Sequence, residues 1–159
     1  MWSVVLTVLL TAPTIQLSAE NFTSLNPNSA HLIDPTQKLG VSAVYEEFLN
    51  NDIPPASTLS LGFDDAAHWF VTKVENSSPE TAWILELEYP LLDYVNVYVV
   101  RSRGDIEHSA IGDRYDFSER YFPSRFLHLP LGLEQNETVT LLWRISTQTS
   151  IIALSLIHI

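Results

Sequence analysis

Apolar and polar side chains alternate along most of the chain after residue 66, and this two-residue period predicts β-strands. The longest such stretch runs from Ala67 to Asn76 and closes on turn residues. Four later stretches each carry one apolar stripe: Trp83, Leu85, Leu87 and Tyr89; Val95, Val97 and Val99; Leu127, Leu129 and Leu131; Val139, Leu141, Trp143 and Ile145. Short strands separated by turn signals predict an all-β fold, an antiparallel β-sandwich.

One segment before these strands has the helical period instead. Ser42 is predicted to cap a short helix that ends at Asn50-Asn51. Its apolar residues lie on one side: Val44, Tyr45 and Phe48. The preceding residues 20–40 are rich in Asn, Ser, Pro and Thr, so we expect them to wrap the surface with a turn at Asp34-Pro35.

The N-terminal residues have a different composition from the rest. From Trp2 to Ala19 no side chain is charged, and the apolar run within this stretch is too short to span a bilayer. A small-residue site, Leu17-Ser18-Ala19, ends the stretch, and the acidic Glu20 follows it. This pattern predicts a secretory signal peptide over residues 1–19, cleaved after Ala19. The alternative interpretations are a buried strand and an uncleaved anchor.

Composition narrows the class of protein. The 159 residues carry 8 basic and 19 acidic side chains, a net charge of -11. This length fits one domain. The acidic surface argues against binding to nucleic acid or to anionic lipid through a basic patch. Cysteine is absent, which excludes a disulfide framework, a thiolate zinc site and a cysteine nucleophile.

Catalytic and metal-binding patterns are not found in the sequence. The available carboxylate pairs are Asp64-Asp65, Glu86/Glu88 and Asp113/Asp116, and none has a distinctive setting for glycoside hydrolysis. The five histidines lack close-paired spacing: His31, His68, His108, His128 and His158. A Gly-rich phosphate loop and a Gly-x-Ser-x-Gly elbow are also missing. We therefore expect no catalytic residues, no metal and no cofactor.

Five stretches, taken in order, carry the motifs of a known family. They are LIDPTQKLGVSAVYEEF, HWFVTKVENSS, TAWILELEYPLLDYVNVYVV, IGDRYDFSERYFPSRFLHLPL and ETVTLLWRIST. The residues that recur in the family's motifs are Asp34-Pro35, Trp69 to Asn76-Ser77, Pro90 with Leu92-Asp93 and Val95, Gly112 with Arg120, and Arg144 with Ser146. In this order and spacing, residues 31–153 resemble the type-two extracellular domain of bacterial seven-transmembrane receptors with diverse intracellular signalling modules.

The resemblance implies a jelly-roll β-sandwich like those of carbohydrate-binding modules, exported to the periplasm, over residues 20–153. It also implies a seven-helix membrane unit in cis and a cytoplasmic output domain, commonly a diguanylate cyclase or a histidine kinase. The expected partners are a small-molecule ligand and that membrane unit, and a homodimer is left open. The alternative function is a secreted β-sandwich for adhesion or protein interaction without a small ligand.

Large rings and guanidinium groups are the candidates for ligand contact. Aromatic rings stack on sugar faces, while arginine forks hold hydroxyls and carboxylates. We expect these residues near a bound saccharide or small carboxylate: Trp69, Arg120, Tyr121 and Arg144. The competing interpretation places rings such as Trp143 in the core and pairs the arginines with neighbouring acids.

The last six residues, 154–159, read LSLIHI. The transposase-end adapter used in DNA library preparation encodes the same six residues in one frame. We therefore predict that they are foreign and that the native protein continues differently after Ala153. A strand cut short there would leave an unpaired edge, and the tail would add exposed apolar side chains. The alternative is a genuine apolar strand end.

Overall fold

The computed structural model describes residues 13–19 and 22–159. Nearly all of the regular structure is β. The strands are β1 (Thr14–Leu17), β2 (Thr23–Ser24), β3 (Ala30–Asp34), β4 (Ser60–Gly62), β5 (Ala67–Asn76), β6 (Ala82–Leu87), β7 (Tyr94–Arg101), β8 (Ile106–Ile111), β9 (Leu127–Gly132), β10 (Thr138–Ser146), β11 (Ile151–Ile152) and β12 (Ser155–His158). One helix, α1, spans Val41–Leu49, and two 3-10 turns lie at Asn26–Asn28 and Phe117–Glu119.

The larger sheet has β5 and β10 at its centre. β10 pairs antiparallel with both β5 and β7, and β8 continues the sheet beyond β7. The other side of β5 is shared: β3 pairs antiparallel along its first half, and β1 pairs parallel along its second half. In the β5–β10 register Trp69 lies opposite Arg144, so these two side chains occupy the same face.

The second sheet has the order β2-β12-β6-β9 and packs on the inner face of the larger sheet. The four predicted apolar stripes meet there, and their residues within strands are buried together with Phe70 and Val74 of β5. Alternating strands bury one face each, so facing sheets close over a shared core. The prediction of an all-β sandwich is confirmed.

A smaller core covers the outer face of the larger sheet. Val44 and Phe48 of α1 pack on Trp69, Val71 and Leu142. Both faces of β5 are therefore covered along most of its length. The predicted side of the helix is confirmed, but the predicted cap is wrong: Gly40 precedes the first turn, Ser42 lies inside the helix, and no side chain caps it.

Residues 20–40 do not simply wrap the surface. Their second half forms β3, which adds to β5 and buries Ala30 against the smaller core. The segment was predicted to wrap the surface because it is rich in Asn, Ser, Pro and Thr. Strand pairing with an open edge stabilises it instead through backbone hydrogen bonds. The predicted turn at Asp34-Pro35 is present, because the Gln37 N–H donates to the Asp34 carbonyl at 3.2 Å.

Both terminal segments that are described also join sheets. Ile15 and Leu17 of β1 are buried, as the buried-strand alternative expects for residues 14–17. Residues 1–12 lie outside the described part of the chain, and cleavage after Ala19 stays a prediction. At the other end β12 pairs with β2 and β6, and Ile157 is fully buried. The expectation of an exposed tail is wrong for Ile157, because this side chain faces the core.

Across residues 13–19 and 22–159, α1 is too short to cross a bilayer, and no other helix is long and apolar enough to do so.

A candidate ligand groove at one end of the sandwich

An open groove lies where β10 ends and β7 begins, at the paired residues Ser146 and Tyr94. It consists of two adjoining cavities of about 570 and 380 Å³, which share part of their lining. The lining residues are Gln37, Phe63, Asp64, Asp65, Asp93, Tyr94, Arg114, Ser146, Thr147 and Gln148. Cavities of this size accommodate small organic ligands.

The carboxylate of Asp93 holds the floor of the groove together. Its Oδ1 accepts a hydrogen bond from Arg114 Nε at 3.0 Å, and its Oδ2 accepts one from the Gln148 N–H at 2.7 Å. The Asp93 N–H donates to Thr147 Oγ1 at 3.2 Å. The Gln148 amide and the Arg114 guanidinium lower the pKa of Asp93 despite its burial, which acts in the opposite direction. Asp93 is therefore a buried anion that links the start of β7 to the end of β10.

Gly112 allows the loop carrying Arg114 to approach Asp93. Gly112 has φ 152°, and a Cβ on it would lie 2.1 Å from the Asp93 carbonyl oxygen. The Asp113 and Arg114 N–H groups donate to the Leu92 and Asp93 carbonyls at 2.8 and 3.3 Å. A side chain at residue 112 would push this loop away, so glycine is required for the Asp93–Arg114 pair.

The turn after β3 forms a second wall. The Asp34 carboxylate accepts hydrogen bonds from the N–H groups of Thr36 and Leu39 at 3.1 and 2.9 Å. This fixes Gln37, which has φ 56°. Gln37 Nε2 donates to the Asp65 carbonyl at 2.6 Å, which joins this wall to the loop of residues 63–66.

The open side of the groove combines rings with exposed polar groups. Phe63 is 80% exposed, and Tyr94 meets Tyr115 edge-on with their ring centroids 5.9 Å apart. The Arg114 side chain is 55% exposed although its Nε is bonded to Asp93. The groove can therefore offer hydrogen-bond donors, carboxylate acceptors and apolar ring faces to one ligand.

The predicted ligand residues Trp69 and Arg144 lie side by side, but they do not line the groove. Trp69 is fully buried under α1 and stacks on Tyr98 with centroids 5.8 Å apart. A direct contact of Trp69 with a ligand at the surface conflicts with this burial. Arg144 donates from Nη2 to the Gln37 carbonyl at 3.3 Å, so it supports a groove residue from behind.

Arg120 and Tyr121 lie in a different loop. Arg120 Nη1 donates to the Ser124 carbonyl at 2.8 Å, and its guanidinium lies 5.0 Å from the Phe117 ring centroid. It borders a cavity of about 40 Å³, which is too small for an organic ligand. Tyr121 is exposed. The structure does not bring the four predicted residues into one site, and ligand contact by Arg120, Tyr121 or Arg144 stays a prediction.

Asp93 and Arg114 were not among the predicted ligand residues, although the sequence contains a signal for each. Asp93 follows Leu92 in one of the family motifs, and Arg114 comes two residues after Gly112. The motif was matched to Arg120 instead, because spacing alone does not show which arginine a tight glycine turn presents. Asp93 and Gln148 are also 55 positions apart, so only the fold brings them together.

A cluster of possible metal ligands lies on the outer face of the second sheet. Glu86 Oε2 is 2.5 Å from His128 Nε2 and 3.1 Å from His158 Nε2. Two imidazoles and a carboxylate suit zinc. His158 belongs to the segment predicted to be foreign, so the relevance of this cluster to the native protein depends on the origin of that segment.

A sequence model of one protein family, described as 7TMR-DISM extracellular 2, matches residues 26–157. The matched range contains every residue that lines the groove. A search of curated proteins finds no match.

Proposed function

The chain belongs to the 7TMR-DISM extracellular 2 family, an extracellular sensor domain of seven-transmembrane receptors, and from this membership we propose that it senses a small ligand in the groove, on the periplasmic side of a bacterial membrane. A sensor domain acts by binding rather than by catalysis. The observation that carries the proposal is the hydrogen-bonded Asp93–Arg114 pair at the floor of an open groove with an exposed ring at its rim.

The charge of the groove favours a neutral ligand. Among the described residues that line the groove, Arg114 is the one cation, and its charge is offset by Asp93 at 3.0 Å. Asp64 and Asp65 add further negative charge at the rim. An anionic ligand would be repelled by these carboxylates, whereas hydroxyl groups can donate to them and accept from Arg114. We therefore propose a neutral saccharide in preference to a small carboxylate.

The test compares a panel of neutral sugars with the matching uronic acids by isothermal titration calorimetry on the 159-residue chain. Binding of a neutral sugar, weakened at least tenfold for its uronic acid, supports the proposal. Tighter binding of the acids would replace the saccharide by a carboxylate ligand. No binding by either class would favour the alternative, an adhesion or protein-interaction module.

A pair of matched phenylalanine variants locates the site. Phe63 borders the groove, whereas Phe117 lies in a 3-10 turn that does not line it, and both rings are more than half exposed. Phe63→Ala should weaken sugar binding about three- to tenfold, because a ring stacked on a ligand contributes on the order of 1 kcal/mol. Phe117→Ala should leave it unchanged. Equal affinities for the two variants would place the ligand elsewhere.

We also propose that the native domain is followed by a membrane unit in cis, with an output domain that is a diguanylate cyclase or a histidine kinase. Family membership supports the receptor context. The native locus tests it: seven apolar segments of bilayer length after the codon for Ala153 are expected. A stop codon or another sandwich domain at that point would contradict the receptor architecture.

A further inference from the structure

Three side chains on neighbouring strands of the second sheet meet at one point of its outer face. Glu86 lies on β6, His128 on β9 and His158 on β12. Glu86 and His128 are direct partners in the β6–β9 register. His158 lies two residues beyond the β12 partner of Glu86, so it is a diagonal neighbour on the same face. Because side chains alternate along a strand, all three project from the face opposite the core.

The donor atoms of this cluster are close enough to share one metal ion. Glu86 Oε2, His128 Nε2 and His158 Nε2 all lie within 4.8 Å of one another. Tetrahedral zinc, with bonds of about 2.0–2.2 Å, holds its ligand atoms about 3.3–3.6 Å apart. The 3.1 Å between Glu86 and His158 nearly matches this separation, and the 2.5 Å between Glu86 and His128 requires an opening of about 1 Å. A turn of the Glu86 carboxylate about its broad terminal torsion can supply that opening.

The hydrogen bonds around the cluster aim both Nε2 atoms at the position that a metal would take. Both atoms face one carboxylate oxygen, Glu86 Oε2, which accepts protons and offers none. A zinc ion placed among the three atoms replaces the N–H protons between them, and its binding releases those protons. His158 Nδ1 donates to the Ile159 main-chain oxygen at 3.1 Å. A histidine that donates from one ring nitrogen to a carbonyl presents the other nitrogen as a ligand, which is the usual arrangement around zinc.

Two aromatic rings border the cluster and limit the orientations of its imidazoles. The Phe22 ring lies 5.0 Å from His158, and the Phe122 ring meets His128 edge-on at 5.8 Å. The three ligand side chains are 14–18% exposed, so a metal ion can reach them from solvent. The net charge of -11 also attracts divalent cations to the chain.

From this geometry we propose that Glu86, His128 and His158 form a zinc site that fastens β12 to β6 and β9. Zinc accepts two imidazoles and one carboxylate with water in the fourth position. Calcium and magnesium bind oxygen ligands, of which the cluster offers only those of Glu86. None of the three residues belongs to the groove lining, so the site does not depend on the proposed sugar.

Two of the three ligands precede Ala153 and are present whatever sequence follows that residue. The third, His158, is supplied by β12, so the proposal concerns the chain of 159 residues. Spacing along the chain contains no signal for the site, because Glu86 and His128 are 42 positions apart and only the pairing of β6 with β9 brings them together.

Isothermal titration calorimetry of the metal-free 159-residue chain with zinc chloride at pH 7 tests the site. We expect one zinc ion to bind per chain, and no comparable binding of calcium. Glu86→Gln and His158→Ala should each weaken zinc binding at least about tenfold, because each removes one of the three ligands. His108→Ala is the matched control: this ring is exposed and bonded to Asn96, so zinc binding should stay unchanged.

Thermal unfolding supplies a second measurement of the same site. Zinc binds the folded chain, so zinc at about a hundredfold excess over its Kd should raise the Tm of wild type by about 5–10 °C. The same concentration should raise the Tm of His158→Ala much less, because the site that zinc occupies only in the folded chain is incomplete. An equal rise in both proteins would place the zinc elsewhere and overturn the proposal.

Long-range proton–nitrogen NMR spectra of the histidine rings test the site in the unaltered protein, whether or not a variant folds. Zinc should shift the Nε2 resonances of His128 and His158 and leave the ring of His108 in place. Zinc-induced shifts confined to other histidines would overturn the proposal. An absence of zinc binding would overturn it as well, as would a loss of affinity in His108→Ala as large as that in His158→Ala.

Discussion

Replacement of Asp93 by asparagine tests the buried anion that organises the groove. The substitution keeps the size and shape of the side chain, so packing around it is conserved. It exchanges one acceptor oxygen for an NH2 group, while both partners of that carboxylate, Arg114 Nε and the Gln148 N–H, are donors. One of the two donors must therefore face another donor.

The expected loss follows from these two hydrogen bonds. A hydrogen bond to a charged group contributes about 1.5–3 kcal/mol, and a buried donor left without a partner costs about 1–3 kcal/mol. Arg114 is half exposed and can turn to water, which reduces its share. We expect Asp93→Asn to lower the free energy of unfolding by about 2–4 kcal/mol at pH 7.

The same loss must depend on pH in a defined direction. Because the pKa of Asp93 in the folded state lies below its usual 3.8, the carboxylate stabilises the fold fully above that value. This contribution is lost as the pH falls through the folded-state pKa. The difference between wild type and Asp93→Asn should therefore be constant from pH 7 to 5 and shrink below about pH 4.

Urea denaturation of both proteins at several pH values measures this difference. Asp113→Asn is the matched control, because Asp113 is nearly half exposed and lies 3.7 Å from Arg120. It should change stability by less than about 0.5 kcal/mol. A loss for Asp93→Asn no larger than that of the control, or a loss that grows at low pH, would refute the role assigned to Asp93.

Three further substitutions, one of them with a matched control, and one processing site have definite expectations. Gly112→Ala should destabilise the fold by more than about 2 kcal/mol in thermal unfolding because its Cβ meets a backbone carbonyl, whereas Gly132→Ala, with open space around it, should be near neutral. Asp34→Asn should cost about 1–3 kcal/mol at pH 7 and weaken sugar binding, because the turn carrying Gln37 loses its carboxylate; unchanged calorimetry would refute this. Leu17→Ala should lower the free energy of unfolding of the uncut chain by about 2–4 kcal/mol. It should have no effect in exported protein if N-terminal sequencing shows that the mature form begins at Glu20.

Alternation in the sequence was sufficient to predict the sandwich because the central strands are amphipathic. β5 was predicted with the bounds that the structure shows, and the stripes of β6, β7, β9 and β10 face the core as expected. The edge strands β3 and β8 were not predicted. Such strands are short or largely exposed, so their stability depends on backbone pairing that leaves no periodic signal.

Trp69 shows why the ligand residues could not be predicted from residue type. A large ring on a strand fits a binding surface and a second core equally well, and the burial of Trp69 depends on α1 being folded over that face. The groove residues could not be predicted for a different reason. The polar ones among them lie at strand ends and turns, where function concentrates, but their contact is set by backbone geometry at Gly112 and Gln37.

The position of β12 in the fold does not depend on where its sequence comes from. Residues 155 and 157 point into the core, and the family match extends to residue 157. An alternating apolar segment pairs with an open strand edge whatever its source, however, because pairing requires backbone groups and one apolar face. Burial of Ile157 is therefore compatible with a foreign segment that occupies the place of a native strand.

The genomic sequence decides between the two origins of β12. We expect unprocessed DNA to depart from LSLIHI after Ala153, with a native segment that keeps an inward apolar residue near position 157. If the locus encodes LSLIHI, the adapter explanation is wrong and the Glu86, His128 and His158 cluster becomes a native feature. Zinc binding by the present chain, measured before and after His158→Ala, would then be a test of native function.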